Sequence, residues 1–584
     1  MTKLTRRDFL KASAMGMGAV VVSTGLAGCV FDSDDKRATD FTHGVASGDP
    51  LANGVVLWTR VVPERDFEKP VSVAWEVATD AGFEQLVHSG TAEAKNAHDF
   101  TVKVDVRGLT PAQTYYYRFH TADSQSPVGT TLTLPEGNVD SVRLAVVSCA
   151  NYPAGYFNVY RELSKRNDLD AVVHLGDYIY EYSSEAGSYA AADAAALGRT
   201  FPADNDLELI KLKDYRRRYG IYRSDADLQA LHQKVPFIVV WDDHEIANDA
   251  WENGAENHSA DEGDYGVRKL EALQAFFEWM PIRPVIKGND EAIFRTFSFG
   301  NLVDLHMLDT RHMGRDEQLD YMDYFSSGGS LNQAQFIADV GSTSRTLLGA
   351  EQLLWLKASL GYSTATWQVL GQQILMGRMN LPAELLVAIA TQDPEKLAGL
   401  PQTLAELAEL KGRKLADDPT LTEVELGRIN TVAPYNLDAW DGYQYEREVV
   451  LGTAKQLDKN LVVLAGDTHN AWANNLRDGY GDQIGVEFAA ASVSSPGLEE
   501  YLGLPEELIG GAEGGIGLLV DDLEYLNINQ RGYMLATFTA DEARADWYFV
   551  DTIKSRDYAI DTTRSASRRV RPGEGNRRVE SVPG

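Results

Sequence analysis

Two cysteines, Cys29 and Cys149, are all that a chain of 584 residues carries. A disulfide framework is excluded on that ground: Cys29 closes an N-terminal stretch with the look of a targeting segment, and once that stretch is acylated or removed Cys149 has no partner. Positive charge is also scarce. Lys and Arg number 54 against 86 Asp and Glu, a formal net charge of -32, and such a surface repels polyanions at long range, so no nucleic-acid-binding role is expected. Long apolar runs are missing too. The mildly apolar stretch from Ala12 to Gly28 is glycine-rich and too short and weak for a comfortable membrane span, and no such run follows it. What is present is 44% hydrophobic and 10% aromatic residues, enough to fold rather than stay disordered. The length is ample for a large core.

The N-terminus suggests an address. "TRRDFLKASAMGMGAVVVSTGLAGC" sets Arg6 and Arg7 ahead of Phe9, Leu10 and Lys11 and resembles a twin-arginine export signal. "LAGC", Leu26 to Cys29, resembles a bacterial lipobox, in which Cys29 becomes the acylated first residue of the mature chain. The alternative is an ordinary cleaved signal with a chance cysteine. Residues 1–29 are therefore read as a twin-arginine signal with lipobox and 30–40 as a polar tether. The expected partners are the twin-arginine translocase and, through a lipid anchor at Cys29, the membrane; the expected location is periplasmic or cell-surface.

Two textures divide the rest. Residues 41–136 are short alternating strands such as "GVVLWTRV" and "VSVAWEVATD" with turn residues between them. "GLTPAQTYYYRF" resembles the corner of an immunoglobulin- or fibronectin-like sandwich, so an N-terminal all-β domain is expected. Over 140–560, strand-like runs alternate with amphipathic helical stretches, the pattern of an α/β layered domain. Within it, 381–430 reads as a helical insertion, either a lid or a surface excursion. The basic tail 561–584 reads as a disordered, solvated end, with contact to anionic lipid as the other reading.

Several apolar runs finish directly in metal-capable residues. "RLAVVSC" ends in Cys149; "HLGDYIYEY" supplies Asp177 and Tyr180; "VVWDDHEIANDAW" offers Asp242, Asp243, His244, Glu245, Asn248 and Asp249; "LAGDTHNAW" adds Asp467 and His469. Open α/β sheets assemble sites at the carboxyl ends of strands, and burying so many acids together is costly without cations. Each fragment alone is weak. Together they describe one composite metal site. Sulfur, phenolate and imidazole suit a transition metal, whereas an all-oxygen pocket suits a hard cation, calcium more readily than magnesium where geometry is irregular.

"SCANY", "GDYIYEY", "WDDHEIAND", "LDTRH", "WDGYQYERE" and "AGDTHNAW", in this order, resemble the PhoD-like alkaline phosphatases and phosphodiesterases, relatives of the calcineurin-like metallophosphoesterases and purple acid phosphatases. The resemblance covers about residues 40 to 560. It implies a four-layer αββα metallophosphoesterase domain behind the N-terminal sandwich, with ferric iron (Fe3+) held by Cys149, Asp177, Tyr180 and His469, and calcium (Ca2+), one ion or two, held by Asp177, Asp243 and Asp467. It implies hydrolysis of phosphate esters by a metal-activated water. His244 contacts the phosphate or the leaving oxygen, or else holds Asp177 in place. Arg311 clamps phosphate or forms an ion pair among the acids. Asn151 and Asn248 donate hydrogen bonds to substrate or to carboxylates. Trp440, Asp441, Tyr443 and Arg447 shape the pocket wall or simply pack. The histidine that the family pattern leads one to expect before the last motif is absent from "WQVLGQQILMGRMN", where Gln373, Asn380 or water takes its place. Two rival functions stand beside the phosphatase: a phospholipase D-like phosphodiesterase acting on phospholipid headgroups, and a catalytically inactive surface lipoprotein.

Overall fold

Alternation in Thr114–His120 buries one face of that strand, Val71–Ala78 is buried at all but Ser72 and Glu76, and the four strands Gly129–Leu132, Thr114–His120, Val71–Ala78 and Leu86–Ala94 form one sheet in that order. It packs on Val45–Leu51, Gly54–Arg60 and Thr101–Arg107 around Leu57, Val73, Trp75, Val104 and Phe119. The Thr110 amide donates to the Tyr115 hydroxyl at 2.9 Å, the bond that closes a tyrosine corner in sandwiches of this kind. The computed structural model describes residues 21–23, 37–284, 291–324, 332–391 and 394–582.

The sandwich does not stop at its own edge. Gly48 pairs with Phe237, and a Cβ there would lie 2.5 Å from the Pro281 carbonyl oxygen, so only glycine permits the seam. Through it the sheet continues into the strands Phe237–Val239, Ala171–His174 and Val142–Val147, mutually parallel, and then into the antiparallel Arg531–Phe538 and Ala543–Val550. A second, seven-stranded sheet carries Val303–Met307, Trp367–Gly371, Leu461–Ala465 and Gln483–Ala489 in parallel. The two sheets share one core in which Val146, Val173 and Ile238 meet Leu305, Val369 and Leu464. Helices Asn158–Lys165 and Leu212–Arg223 accompany the first sheet; Gly349–Tyr362 and Gln444–Gln456 cover the second through Leu356, Leu360, Val450 and Leu451. This is the αββα arrangement the family resemblance implied.

The helical insertion resolves into Ala383–Thr391, Pro394–Leu415 and Glu423–Asn430. Leu400, Leu404, Leu407 and Leu410 pack with Ile509, Ala512 and Ile516 of the helix Glu506–Leu519.

Two expectations need correction. The tail expected to be disordered forms the strands Ala566–Val570 and Glu580–Ser581 at the edge of the large sheet. Its arginines find acids of the negatively charged body: Arg564 with Glu513 at 2.6 Å and Arg577 with Asp458 at 2.6 Å. The end of the 30–40 tether is likewise pinned. Arg37 donates to the carbonyls of Asp66, Lys69 and Pro70, and Thr39–Asp40 pairs with Val62–Pro63. The twin-arginine and lipobox motifs lie outside the described residues; between them in sequence, Val21–Ser23 runs beside Val104–Val106. No helix among the described residues is long and apolar enough to cross a membrane.

Candidate metal centre

The chain turns sharply where three strands end, Val142–Val147, Ala171–His174 and Leu461–Ala465. Cys149, Asp177, Asp467 and His469 all take left-handed backbone conformations, with φ of 60°, 54°, 62° and 63°. Side chains other than glycine adopt this region at a penalty of about 1–3 kcal/mol each, and such strain gathers at functional sites. The surrounding contacts fix it. The Cys149 amide donates to Gly176 O at 3.2 Å and the Ala150 amide to Asp177 O at 2.9 Å. Gly176 sits so close to Asp242 that a Cβ would lie 2.4 Å from the Asp242 Cβ. Glu245, fully buried, staples two loops: its carboxylate accepts from the amides of Asp177 at 3.1 Å, Tyr178 at 2.7 Å and Asp242 at 2.7 Å.

These turns bring the donor atoms together. Cys149, Asp177 and His469 form one group able to hold a metal ion, Asp242, Asp243 and Asp467 another, and Asp177, Asp243 and His244 a third between them; within each, the ligand atoms lie within 4.8 Å of one another. The Tyr180 hydroxyl stands 3.0 Å from Asp177 Oδ2 and 3.2 Å from His469 Nε2, and accepts from Ser495 Oγ at 2.6 Å. His469 Nδ1 is 2.5 Å from the Pro496 carbonyl, which makes Nδ1 the protonated nitrogen and leaves the Nε2 lone pair for the site.

The electrostatics ask for cations. Burial, then the neighbouring Asp177, pushes the Cys149 thiol well above its usual range. Burial, then Asp242, does the same to Asp467; Asp177 is raised by burial despite the pull of His244, and Asp242 is raised by burial to about 7 against the pull of Arg311. Asp177 Oδ1 and Asp242 Oδ2 are buried without a hydrogen-bond partner, although buried polar atoms are nearly always partnered. Bare acceptors, a soft thiol and a pre-oriented imidazole on strained backbone are what a metal site needs, and the residues fit one.

All six residues read from the sequence as metal ligands therefore meet at one place. The four expected around substrate do not. His244 lines an open cleft of about 230 Å³ together with Asp177, Asp243, Asn248, Asp467 and His469. Its Nδ1 is 2.7 Å from Glu181 Oε2, and its ring lies 4.1 Å from that of Tyr180. Burial pulls its pKa down, but Asp243 and Glu181 outweigh that and hold it well above the ordinary value. Asn248 is on the cleft wall, with Nδ2 3.1 Å from Glu256 Oε2. Arg311 is off the cleft lining and fully buried, bonded to Asp242 at 2.5 Å, Asp438 at 2.7 Å and Asp467 at 2.9 Å; of its two readings, this is the geometry of the ion pair. Asn151 is buried below the cysteine turn and does not line the cleft. Gln373 spends both ends of its amide on Thr310, Trp241 and Leu308, and Asn380 pairs with Pro434 in a two-stranded ribbon. Trp440, Asp441, Tyr443 and Arg447 are packing residues, each bonded inside the protein: to Gln372, Met379, Asp316 and Met376.

Four acids carry no role read from the sequence, the first being Asp242 of the all-oxygen group. Glu181 directly follows Tyr180 inside a quoted motif, and its second oxygen accepts from the Asn248 amide and Asn257 Nδ2, both at 2.8 Å. Asp438 stands two residues ahead of "WDGYQYERE" and receives Arg311 and Arg315. Glu245 was visible as an acid, but its stapling role depends on amides 67 and 68 residues away.

The model of the PhoD-like phosphatase family matches residues 144–547, and that of the PhoD-like phosphatase N-terminal domain matches residues 27–135. Alkaline phosphatase D of Bacillus subtilis (strain 168) is 33% identical over 581 residues, a span of 96% of this chain and 87% of the relative. A solved structure of PhoD superposes with a TM-score of 0.71 at 32% identity, covering 93% of this chain and 92% of that one. With likeness of this extent in both domains, the chain is a phosphoric ester hydrolase and belongs to the PhoD-like phosphatase family.

Proposed function

We propose that this phosphatase hydrolyses phosphate mono- and diesters at a mixed centre of ferric iron and calcium. The observation that carries the reading is the shared Asp177: it belongs both to the group with Cys149 and His469 and to the group with Asp243. Thiolate, imidazole and the Tyr180 phenol select a transition metal on one side, while Asp243, Asp467 and Asp242 offer oxygen alone on the other. When bound, such a pair supplies Lewis acidity that ionises water near neutral pH and neutralises charge on the phosphoryl oxygens.

The chain's own residues do the rest. His244, charged and held at Nδ1 by Glu181, presents Nε2 toward the cleft as a donor to a phosphoryl oxygen or to the departing alkoxide. Asn248 offers an amide beside it. Arg311 offsets part of the charge of Asp242, Asp438 and Asp467 from behind, and cations in front would offset the rest. Tyr435 and Tyr501 wall the opening.

Export by the twin-arginine pathway and acylation at Cys29 complete the proposal; they rest on the N-terminal motifs. Incorporation of a palmitate analogue in the producing cell, lost in Cys29→Ala, tests the anchor. For the chemistry, hydrolysis of p-nitrophenyl phosphate and bis(p-nitrophenyl) phosphate is expected to vanish on exhaustive chelation and return with iron plus calcium. Hydrolysis indifferent to chelation overturns the proposal.

A further inference from the structure

The metal cleft opens into a second, larger hollow. This groove of about 400 Å³ shares Asp249, Tyr435, Asn436 and Asp438 with the cleft, so an ester with its phosphate at the metal groups has a continuous path for its alcohol part. Apolar walls come from Trp251, Tyr321, Leu386 and Ile389. The last two belong to the helix Ala383–Thr391 of the insertion, whose Leu-rich neighbour anchors it on the body. Acids occupy the rim: Glu256, Glu317 and Asp320, all exposed. No lysine or arginine is among the described lining residues.

We infer that this groove is the subsite for the alcohol half of the substrate, and that it selects esters whose alcohol is apolar and carries no negative charge. The inference rests on the phosphoesterase reading of the adjoining cleft. Its logic is separate: the aromatic and aliphatic walls exclude water around an apolar group, and the carboxylates disfavour an anionic one by like-charge repulsion. An alcohol bearing a carboxylate or a further phosphate therefore enters against the local charge, while a neutral aryl or alkyl alcohol does not. The insertion, on this account, is a wall of the substrate site.

Phenyl phosphate and 4-carboxyphenyl phosphate share the aryl ring and the phosphate group and differ by a para carboxylate with its one negative charge, which makes them the discriminating pair. With the metal-loaded, full-length enzyme, KM for the carboxyphenyl ester is expected to exceed that for the phenyl ester by about tenfold at low ionic strength, and the gap to shrink in 1 M salt as screening sets in. Glu317→Lys combined with Asp320→Lys, both at exposed positions, is expected to close or invert the gap; Leu386→Ala is expected to raise KM for the phenyl ester while leaving the ratio sensitive to charge. Equal KM values in the wild type, or a ratio the double charge reversal leaves unchanged, overturn the subsite and leave the phosphoesterase reading standing. If the metal-loaded wild type cleaves neither ester, the phosphoesterase reading falls and the subsite with it.

Discussion

His244 reaches the cleft with its Nδ1 tied to Glu181, and Glu181 is itself fixed by the Asn248 amide and Asn257. That chain of bonds orients the ring and keeps it charged. Glu181→Gln is expected to lower kcat by about 10–100-fold, the usual scale for a supporting partner, and to move the alkaline limb of the pH profile downward while iron and calcium content stay unchanged. A variant that loses its metals instead would make Glu181 part of the metal support rather than a partner of His244. The donors were legible in the sequence because each stands where an apolar run stops: Cys149 after "RLAVVS", Asp177 after "AVVHLG", Asp467 after "LVVLAG". Glu181 and Asp438 were not, since a hydrogen bond to a side chain 63 residues away leaves no local pattern. Arg311 shows the converse limit. Its residue type fits phosphate, but only the positions of Asp242, Asp438 and Asp467 around it decide that it serves the acids.

Secondary-structure elements were read well where periodicity is strong and poorly where long-range charge decides. Period-two burial in Thr114–His120 matches the alternation its sequence shows for a sandwich strand. The tail was misjudged because its arginines look like a solvated run until Glu513 and Asp458 are seen to receive them. The insertion reads as helical in the sequence, yet its docking on the helix Glu506–Leu519 depends on a partner more than 90 residues downstream. Leu407 is fully buried in that contact. Leu407→Ala is expected to lower stability by about 2–5 kcal/mol, read from urea unfolding, with faster proteolytic nicking of 381–430. A change below about 0.5 kcal/mol would mean that the insertion is not held by this cluster.

The molecule as a whole is two sheets sharing a core, with the N-terminal sandwich continuous with one of them at Gly48 and Phe237. Its interior also sets an acid limit. His174 and His232 are fully buried, each with Nε2 beside a tyrosine hydroxyl, Tyr160 at 2.9 Å and Tyr178 at 2.8 Å. Burial lowers His174 to about 3, and burial reinforced by Arg223 lowers His232 well below its ordinary value. The unfolded chain takes up protons near pH 6.5 that the folded chain refuses, so this contribution is intact above about pH 6.5 and is lost as pH falls toward 3, by about 1.4 kcal/mol per pH unit for each histidine. Below about pH 6.5 the unfolding free energy of the wild type is expected to fall more steeply than that of His232→Asn, by about 1.4 kcal/mol per pH unit, a comparison in which the opposite contribution of the raised acids Asp177, Asp242 and Asp467 cancels; parallel profiles contradict it. The central claim is that strained strand ends from both sheets build a thiolate-containing metal pair, and metal content measured by mass spectrometry alongside phosphatase activity, in the wild type and in Cys149→Ser, tests it most directly. The account predicts iron and calcium in the active wild type and, in the variant, loss of iron with activity reduced by more than about 100-fold; a wild type that is fully active without either metal, or a variant that keeps both its iron and its rate, would contradict it.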